Sequence, residues 1–272
     1  TTVPDDAYDD NPAATSTETV DVTKIVASAK CEDMKFWSPD SPNLYDVYTV
    51  LKDSEGNVLD VQKTTTGFRK VEYDINDGGL KINDQPVWLT GYAQRSTNEW
   101  AVIGVANDWL QDLDMQWIKE SNSNFIRWMH VAPKPSQIRS GDKYGVVSAC
   151  PAGDKEADVD GRAWDQRVEA MRDAMIYFRN SPSVIFWETG NNAVTAAHQQ
   201  EMTDLKNTLD PNGERFCGCR TISSTDQIQA ADYVGTMLNR HASNAKASMA
   251  AIKKYVPIME TEYAREEAPR RV

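Results

Sequence analysis

From residue 79 onward the chain alternates short apolar runs with amphipathic stretches, and no other feature constrains its fold as much. The runs are VWLT (87–90), FIRWMHV (125–131), GVVSAC (145–150), SVIFW (183–187), RFCGC (215–219), YVGTML (233–238) and VPIMETE (256–262). Each has strand length and suits a sheet buried on both faces. Between them, Leu110, Leu113 and Trp117 share one helical face, and Val168, Met171, Met175 and Phe178 share another. Met202, Leu205 and Leu209 form a third stripe, ended by Asp210-Pro211-Asn212-Gly213. Seven strands separated by helices predict a parallel sheet with helical crossovers. Apolar strands that end in polar residues fit a (β/α)8 TIM-type barrel with its chemistry at the C-terminal rim. A doubly wound sheet is the rival, but it usually carries a glycine-rich phosphate turn, and no G-x-G-x-x-G or P-loop occurs here. No eighth strand precedes Val272, so the barrel is expected to lack its last strand in this chain.

Before residue 78 the pattern is different. TVDVTKIVASAK, NLYDVYTVLKD, VLDVQKTTTGF and RKVEYD alternate with a period of two, and Ser54-Glu55-Gly56-Asn57 supplies a hairpin turn. This reads as four or five antiparallel strands, fewer than a free-standing sandwich needs. The expected division is therefore a partial β domain over 1–78 and an incomplete barrel over 79–272.

The formal net charge of -12, with no basic stripe, excludes a nucleic-acid partner. No apolar run approaches the 18 residues of a membrane span. The first twenty residues have no signal-peptide pattern and no initiator Met, so a processed or partial chain is expected. Cys31, Cys150, Cys217 and Cys219 form no C-x-x-C pair and read as free thiols rather than a metal site.

Polar residues gather where the strands end. They include Arg127 and His130 on the second strand, Asp154 and Glu156 after the third, Glu188, Asn191 and Asn192 after the fourth, and Glu260, Glu262 and Tyr263 on the seventh. Carboxylates, amides and aromatic rings without a metal cluster suggest glycoside hydrolysis, which needs two carboxyl groups across the scissile bond. Trp100 and Trp128, nearest the rim, are the candidates for stacking on a sugar ring.

These motifs resemble glycoside hydrolase family 2, the β-galactosidase and β-glucuronidase group. WSPDSPNLYDVYTV with TTTGFRKVE resembles the end of that family's immunoglobulin-like domain and its Gly-Phe-Arg link into the barrel. FIRWMH resembles its Arg-x-x-His second strand, DKYGVV the entry to its third, NSPSVIFWETGN the strand carrying its Asn-Glu pair, and VPIMETEY the strand ending in its nucleophile. The resemblance implies a retaining, β-galactosidase-like enzyme acting through a covalent glycosyl-enzyme. Glu262 would be the nucleophile with Tyr263 beside it, Asn191 the contact to the sugar 2-hydroxyl, and Arg127 and His130 the cleft lining. Arg127 has a second reading, as a buried charge held by a barrel carboxylate. No cofactor is required, although some members bind Mg²⁺ or Na⁺. The implied partner is a carbohydrate substrate, with further domains or a homo-oligomer partner to complete the fold. Without them the polypeptide is expected to be unstable or inactive.

One position departs from the pattern. Where the family has Gly-Asn-Glu this chain has Gly190-Asn191-Asn192, and an amide cannot donate a proton to a leaving oxygen. Glu188 is the first substitute; it shares strand parity with Asn192 but lies four residues lower, roughly 13 Å along a strand. Asp154 and Glu156 are the alternatives. The other class of reading is a carbohydrate-binding protein without turnover. Parity also places Glu260 and Glu262 on one strand face.

Overall fold

The computed structural model describes residues 25–74, 76, 79–95, 107–151, 153, 157–192, 194–220, 224–238, 252 and 255–263, with only the backbone of 237, 238, 262 and 263. The first part holds four small antiparallel strands in two pairs. They are β1 (Trp37–Ser38) with β2 (Ser41–Pro42), and β3 (Tyr45–Lys52) with β4 (Val58–Thr66). The β3–β4 turn falls where it was expected. Asp53 N donates to Asn57 O at 2.9 Å, and Gly56 takes the positive φ of 87° that the turn requires.

Next come β5 (Val71–Asp74), β6 (Gly79–Ile82) and β7 (Gln85–Pro86), a three-stranded antiparallel sheet. The expected domain division at 78–79 falls inside its β5–β6 hairpin. Val71 and Ile82 pack in one buried cluster with Phe125, Val147, Ile185 and Tyr233 of the barrel strands, so this sheet closes the bottom of the barrel.

The barrel half runs β8 (Gly91–Arg95), α1 (Asp108–Glu120), β9 (Phe125–Met129), α2 (Pro135–Tyr144), β10 (Val147–Pro151), α3 (Arg162–Phe178), β11 (Val184–Glu188), α4 (Ala196–Leu209), β12 (Phe216–Cys219), α5 (Thr225–Ala230), β13 (Tyr233–Leu238) and β14 (Ile258–Tyr263). All seven of these strands are parallel, paired in sequence order from β8 to β14. This is the strand order of a TIM barrel, with β14 and β8 at the two edges of the sheet among the described residues.

The two faces of the sheet divide the core. Ile126, Trp128, Cys150, Trp187, Cys217 and Cys219 face the helices, packing with Met115, Ile138, Met171, Met175 and Met202. Phe125, Val147, Ala149, Phe186 and Tyr233 fill the interior. Gly218 permits the interior to close, because a Cβ there would overlap the backbone oxygen of Tyr233.

Two expectations shift. The first barrel strand lies at Gly91–Arg95 rather than 87–90, and Trp88 is 83% exposed. Helix α1 buries Gln111, Met115 and Ile118, not the Leu110–Leu113–Trp117 face. Both stripes satisfy helical spacing, and the neighbouring strand Ile126 and helix α2 select the one with Met115 and Ile118.

Two arginines meet at the barrel floor, and Arg69 ties the β region to it. Arg69, the arginine of the Gly-Phe-Arg link, donates to the carbonyls of Pro182 at 2.6 Å and Val184 at 2.9 Å. Arg215 donates to the same Val184 oxygen at 2.7 Å and to Asp210 at 2.8 Å. Burial, and then the like charge of Arg215, disfavours the charged form of Arg69. Trp37, fully buried, donates through Nε1 to the Asp142 carbonyl at 2.8 Å and anchors β1 to α2.

Candidate active site

At the C-terminal ends of β9, β11 and β12 the side chains form one connected polar network inside the barrel. Arg127 donates from Nε and Nη2 to the two carboxylate oxygens of Glu188, both at 2.6 Å. Its Nη2 also reaches Asn191 Oδ1 at 2.9 Å. Arg127 and Glu188 are each 1% exposed. Arg127 therefore answers to the second of its two readings, a buried charge held by a barrel carboxylate.

The segment after β11 is fixed by β12. Thr189 N donates to Gly218 O at 2.8 Å, and Arg220 N to Gly190 O at 3.3 Å. Arg220 then donates from Nε to Asn191 O at 2.5 Å and from Nη2 to Asn192 Oδ1 at 2.6 Å. A Cβ on Gly190 would crowd Val194 Cγ1 at 3.0 Å, and Thr189 ties the segment to α4 through Gln199 Oε1 at 2.8 Å.

Glu188, Arg127, Asn191 and Asn192 are thus brought together, and Arg220 is the residue that joins the last two. The sequence reading missed it, although it carries the signal that singled out Glu188: a charged residue at the end of an apolar strand. His130 follows β9 and is buried; the Met129–His130 peptide is cis. Tyr233 underlies the network from β13, its hydroxyl completely buried. Burial first, and then the Glu188 charge, raises its phenol well above the ordinary tyrosine value.

Trp128 must be corrected as a sugar-stacking candidate. It is fully buried on the helix side of β9, with Nε1 at 3.4 Å from Ser148 Oγ, and presents no surface to a cleft. Strand alternation places it opposite Arg127. Trp100, Asp154 and Glu156 lie outside the described residues.

The parity expected of Glu260 and Glu262 also changes. Thr236 pairs with Glu260 in the β13–β14 ladder, and the next pair is Met237 with Glu262, so Thr261 is an extra residue in β14. Thr236 Oγ1 donates to Glu260 Oε2 at 2.8 Å, and Thr261 Oγ1 to Thr236 O at 2.9 Å. Counted along β13, Tyr233 and Gly235 belong to the interior face, and the bulge sets Glu262 in register with the next position of that face while Glu260 pairs on the other. A one-residue bulge moves the strand's alternation by one, and no feature of METEY announces it.

Among the described residues, no group of three or more His, Cys, Asp and Glu side chains is placed to hold a metal ion. No described helix is long and apolar enough to cross a membrane.

A parallel barrel with a polar, carboxylate-bearing rim defines the class of TIM-barrel enzymes, whose chemistry sits at this end of the strands. The family model for the TIM barrel domain of glycosyl hydrolases family 2 matches residues 73–270, and the model for glycosyl hydrolases family 2 matches residues 2–69. The chain belongs to glycosyl hydrolase family 2. It is 34% identical over 252 residues to a β-glucuronidase of Formosa agariphila, covering 92% of this chain and 24% of that protein. It is 28% identical over 188 residues to a β-galactosidase of Photobacterium profundum, covering 65% of this chain and 18% of that protein. The solved structure of a β-glucuronidase from glycoside hydrolase family 2 superposes with a TM-score of 0.77 at 32% identity, over 92% of this chain and 26% of that one. The chain thus spans about a quarter or less of the length of the curated relatives it matches.

Proposed function

We propose that this chain carries the catalytic barrel of a retaining β-glycosidase that hydrolyses terminal β-linked sugars. The observation that carries the reading is the register of β14. In it Glu262 pairs with Met237 one residue past the Thr236–Glu260 pair, and this register supports Glu262 as the nucleophile beside the Arg127–Glu188–Asn191 network.

In the reaction, the Glu262 carboxylate attacks the anomeric carbon. The bond to the leaving oxygen breaks, and an acid delivers a proton to that oxygen. The same group, now a base, takes a proton from water as the water attacks the anomeric carbon and frees Glu262. Neither step draws on a cofactor. Asn191, held by the buried Arg127, is the contact to the 2-hydroxyl, with His130 and Tyr263 at the edge of the cleft.

Glu188 is a poor candidate for the acid. Both its oxygens accept from one guanidinium at 2.6 Å, which stabilises the ionised form and leaves no proton to give. Asn192 has none to give either. We therefore assign the acid/base to one of the two acids that follow β10 in the sequence, Asp154 or Glu156.

The substrate order also changes. The relatives above 30% identity, which cover 92% of the chain, are named β-glucuronidases, and the β-galactosidase relative is more distant. A β-glucuronide is accordingly the first substrate to test and a β-galactoside the second. The experiment is turnover of aryl β-glucuronide and aryl β-galactoside by the parent, Glu262→Gln, Asp154→Asn and Glu156→Gln. Loss of turnover in Glu262→Gln and in one of the two loop variants is expected. Full activity in Glu262→Gln would end the reading. Asn192 favours a second reading, a carbohydrate-binding protein without turnover; its signature is saturable sugar binding by a parent that hydrolyses neither substrate.

A further inference from the structure

Arg220 lies along three consecutive residues of the segment after β11. Its backbone N–H meets Gly190 O, its Nε meets Asn191 O, and its Nη2 meets Asn192 Oδ1. All three partners are oxygens. A guanidinium has donors only, so the Asn192 amide must present its oxygen here and turn its nitrogen away. Arg220 is 7% exposed and Asn192 is half-buried, so the contact is shielded from solvent.

We propose that Arg220 and Asn192 are a matched positioning pair that fixes the end of β11 and excludes position 192 from proton transfer. A carboxyl group at 192 would meet the same guanidinium at the same place and form a charge-assisted bond that holds it ionised. The amide at 192 is then part of a built brace rather than a bare loss of an acid. The proton donor must come from another strand end, and this consequence for mechanism rests on the glycosidase reading above.

The other charged groups beside the segment, among the described residues, are few. Arg127 reaches Asn191 and is matched by Glu188. Arg167 of α3 comes within 3.9 Å of where a Cβ on Gly190 would stand. Replacing Arg220 removes the guanidinium that bonds the Asn192 amide oxygen.

The test is a carboxyl titration rather than an activity assay. Asn192→Asp is isosteric, and its added carboxyl is followed by carbon NMR of ¹³C-aspartate-labelled chain, identified by difference from the parent. Beside Arg220 it is expected to titrate well below the ordinary aspartate value of about 3.9, with proton affinity weakened at least tenfold. In Asn192→Asp with Arg220→Gln that weakening is expected to vanish. If Arg220→Gln does not fold, Arg220→Lys takes its place; it keeps the charge but loses the fork, and part of the weakening should be lost. An ordinary or raised titration beside Arg220, or one unchanged by replacing Arg220, would overturn the pair and leave the hydrolase reading intact. Absence of turnover in a folded parent supplied with the segments that complete its barrel would overturn the hydrolase reading and leave the pair.

Discussion

Arg127 and Glu188 meet across the interior of the barrel through two 2.6 Å hydrogen bonds, with each side chain 1% exposed. Removing one partner of a buried pair strands the other charge at a cost of about 3–5 kcal/mol. Glu188→Gln is expected to lower unfolding stability by that order in urea denaturation. A loss below about 1 kcal/mol, the range of exposed pairs, would mean that the charge is not held in a water-excluded site.

Asp142 gives a pH dependence with a definite sign. It is 6% exposed, and burial pushes its carboxyl up to about 6 against opposing bonds from the Ser183 segment. The folded chain therefore binds this proton more tightly than the unfolded chain. Its contribution to stability is greatest below about pH 4 and declines as pH rises to about 6, by on the order of 2–3 kcal/mol. Asp142→Asn is expected to gain stability over the parent across that window and to hold the gain at pH 7, as thermal melts at stepped pH would register. A difference independent of pH between 4 and 7 would contradict it.

The barrel was largely legible in the sequence because parallel strands buried on both faces read as unbroken apolar runs. SVIFW, RFCGC and YVGTML all lie within a residue of their observed strands. The site was legible only where chemistry coincided with strand ends. Glu188 and Asn191 stood out, but the partner that would occupy Glu188, Arg127, lay 61 residues away. Trp128 sat near the rim in sequence and yet faces the helices, because one step along a strand reverses the face. The bulge at Thr261 was invisible for a different reason. It adds a residue without any glycine or proline to mark it, and only the ladder with β13 reveals it.

Thiol reactivity tests the two faces of the sheet. Cys150, Cys217 and Cys219 are buried against the helices and carry no disulfide, and Cys31 is exposed. Burial pushes the Cys217 thiol up to about 12 and the Cys150 thiol higher still, so neither forms a thiolate at neutral pH. One thiol of four is expected to react quickly with a disulfide reagent in the folded chain, and all four in denaturant. Fast reaction of two or more in the folded chain would place the β12 thiols elsewhere.

Behind the rim, Asp158 ties the loop before α3 to the start of α4. Its Oδ2 accepts from Thr195 N at 2.8 Å, and its Oδ1 meets His198 Nδ1 at 2.9 Å. The His198 ring stacks on Trp164 with centroids 3.8 Å apart. Asp158→Ala is expected to cost about 1–3 kcal/mol through the stranded Thr195 donor. It should also speed amide exchange at Thr195 and Val159 while leaving β9 and β10 protected. Unchanged exchange at Thr195 would show that the tie is not formed.

The central claim is that Glu262 attacks the sugar. The most direct measurement uses 2-deoxy-2-fluoro-β-glycosyl fluorides of glucuronic acid and galactose, which slow both steps through an oxocarbenium-like transition state but keep a fast leaving group. The trapped adduct is then located by peptide mass spectrometry. The account predicts one sugar per chain on the peptide containing Glu262, localised to that residue and absent in Glu262→Gln. A label on Glu260 or Glu188, or steady turnover without any label, would contradict it.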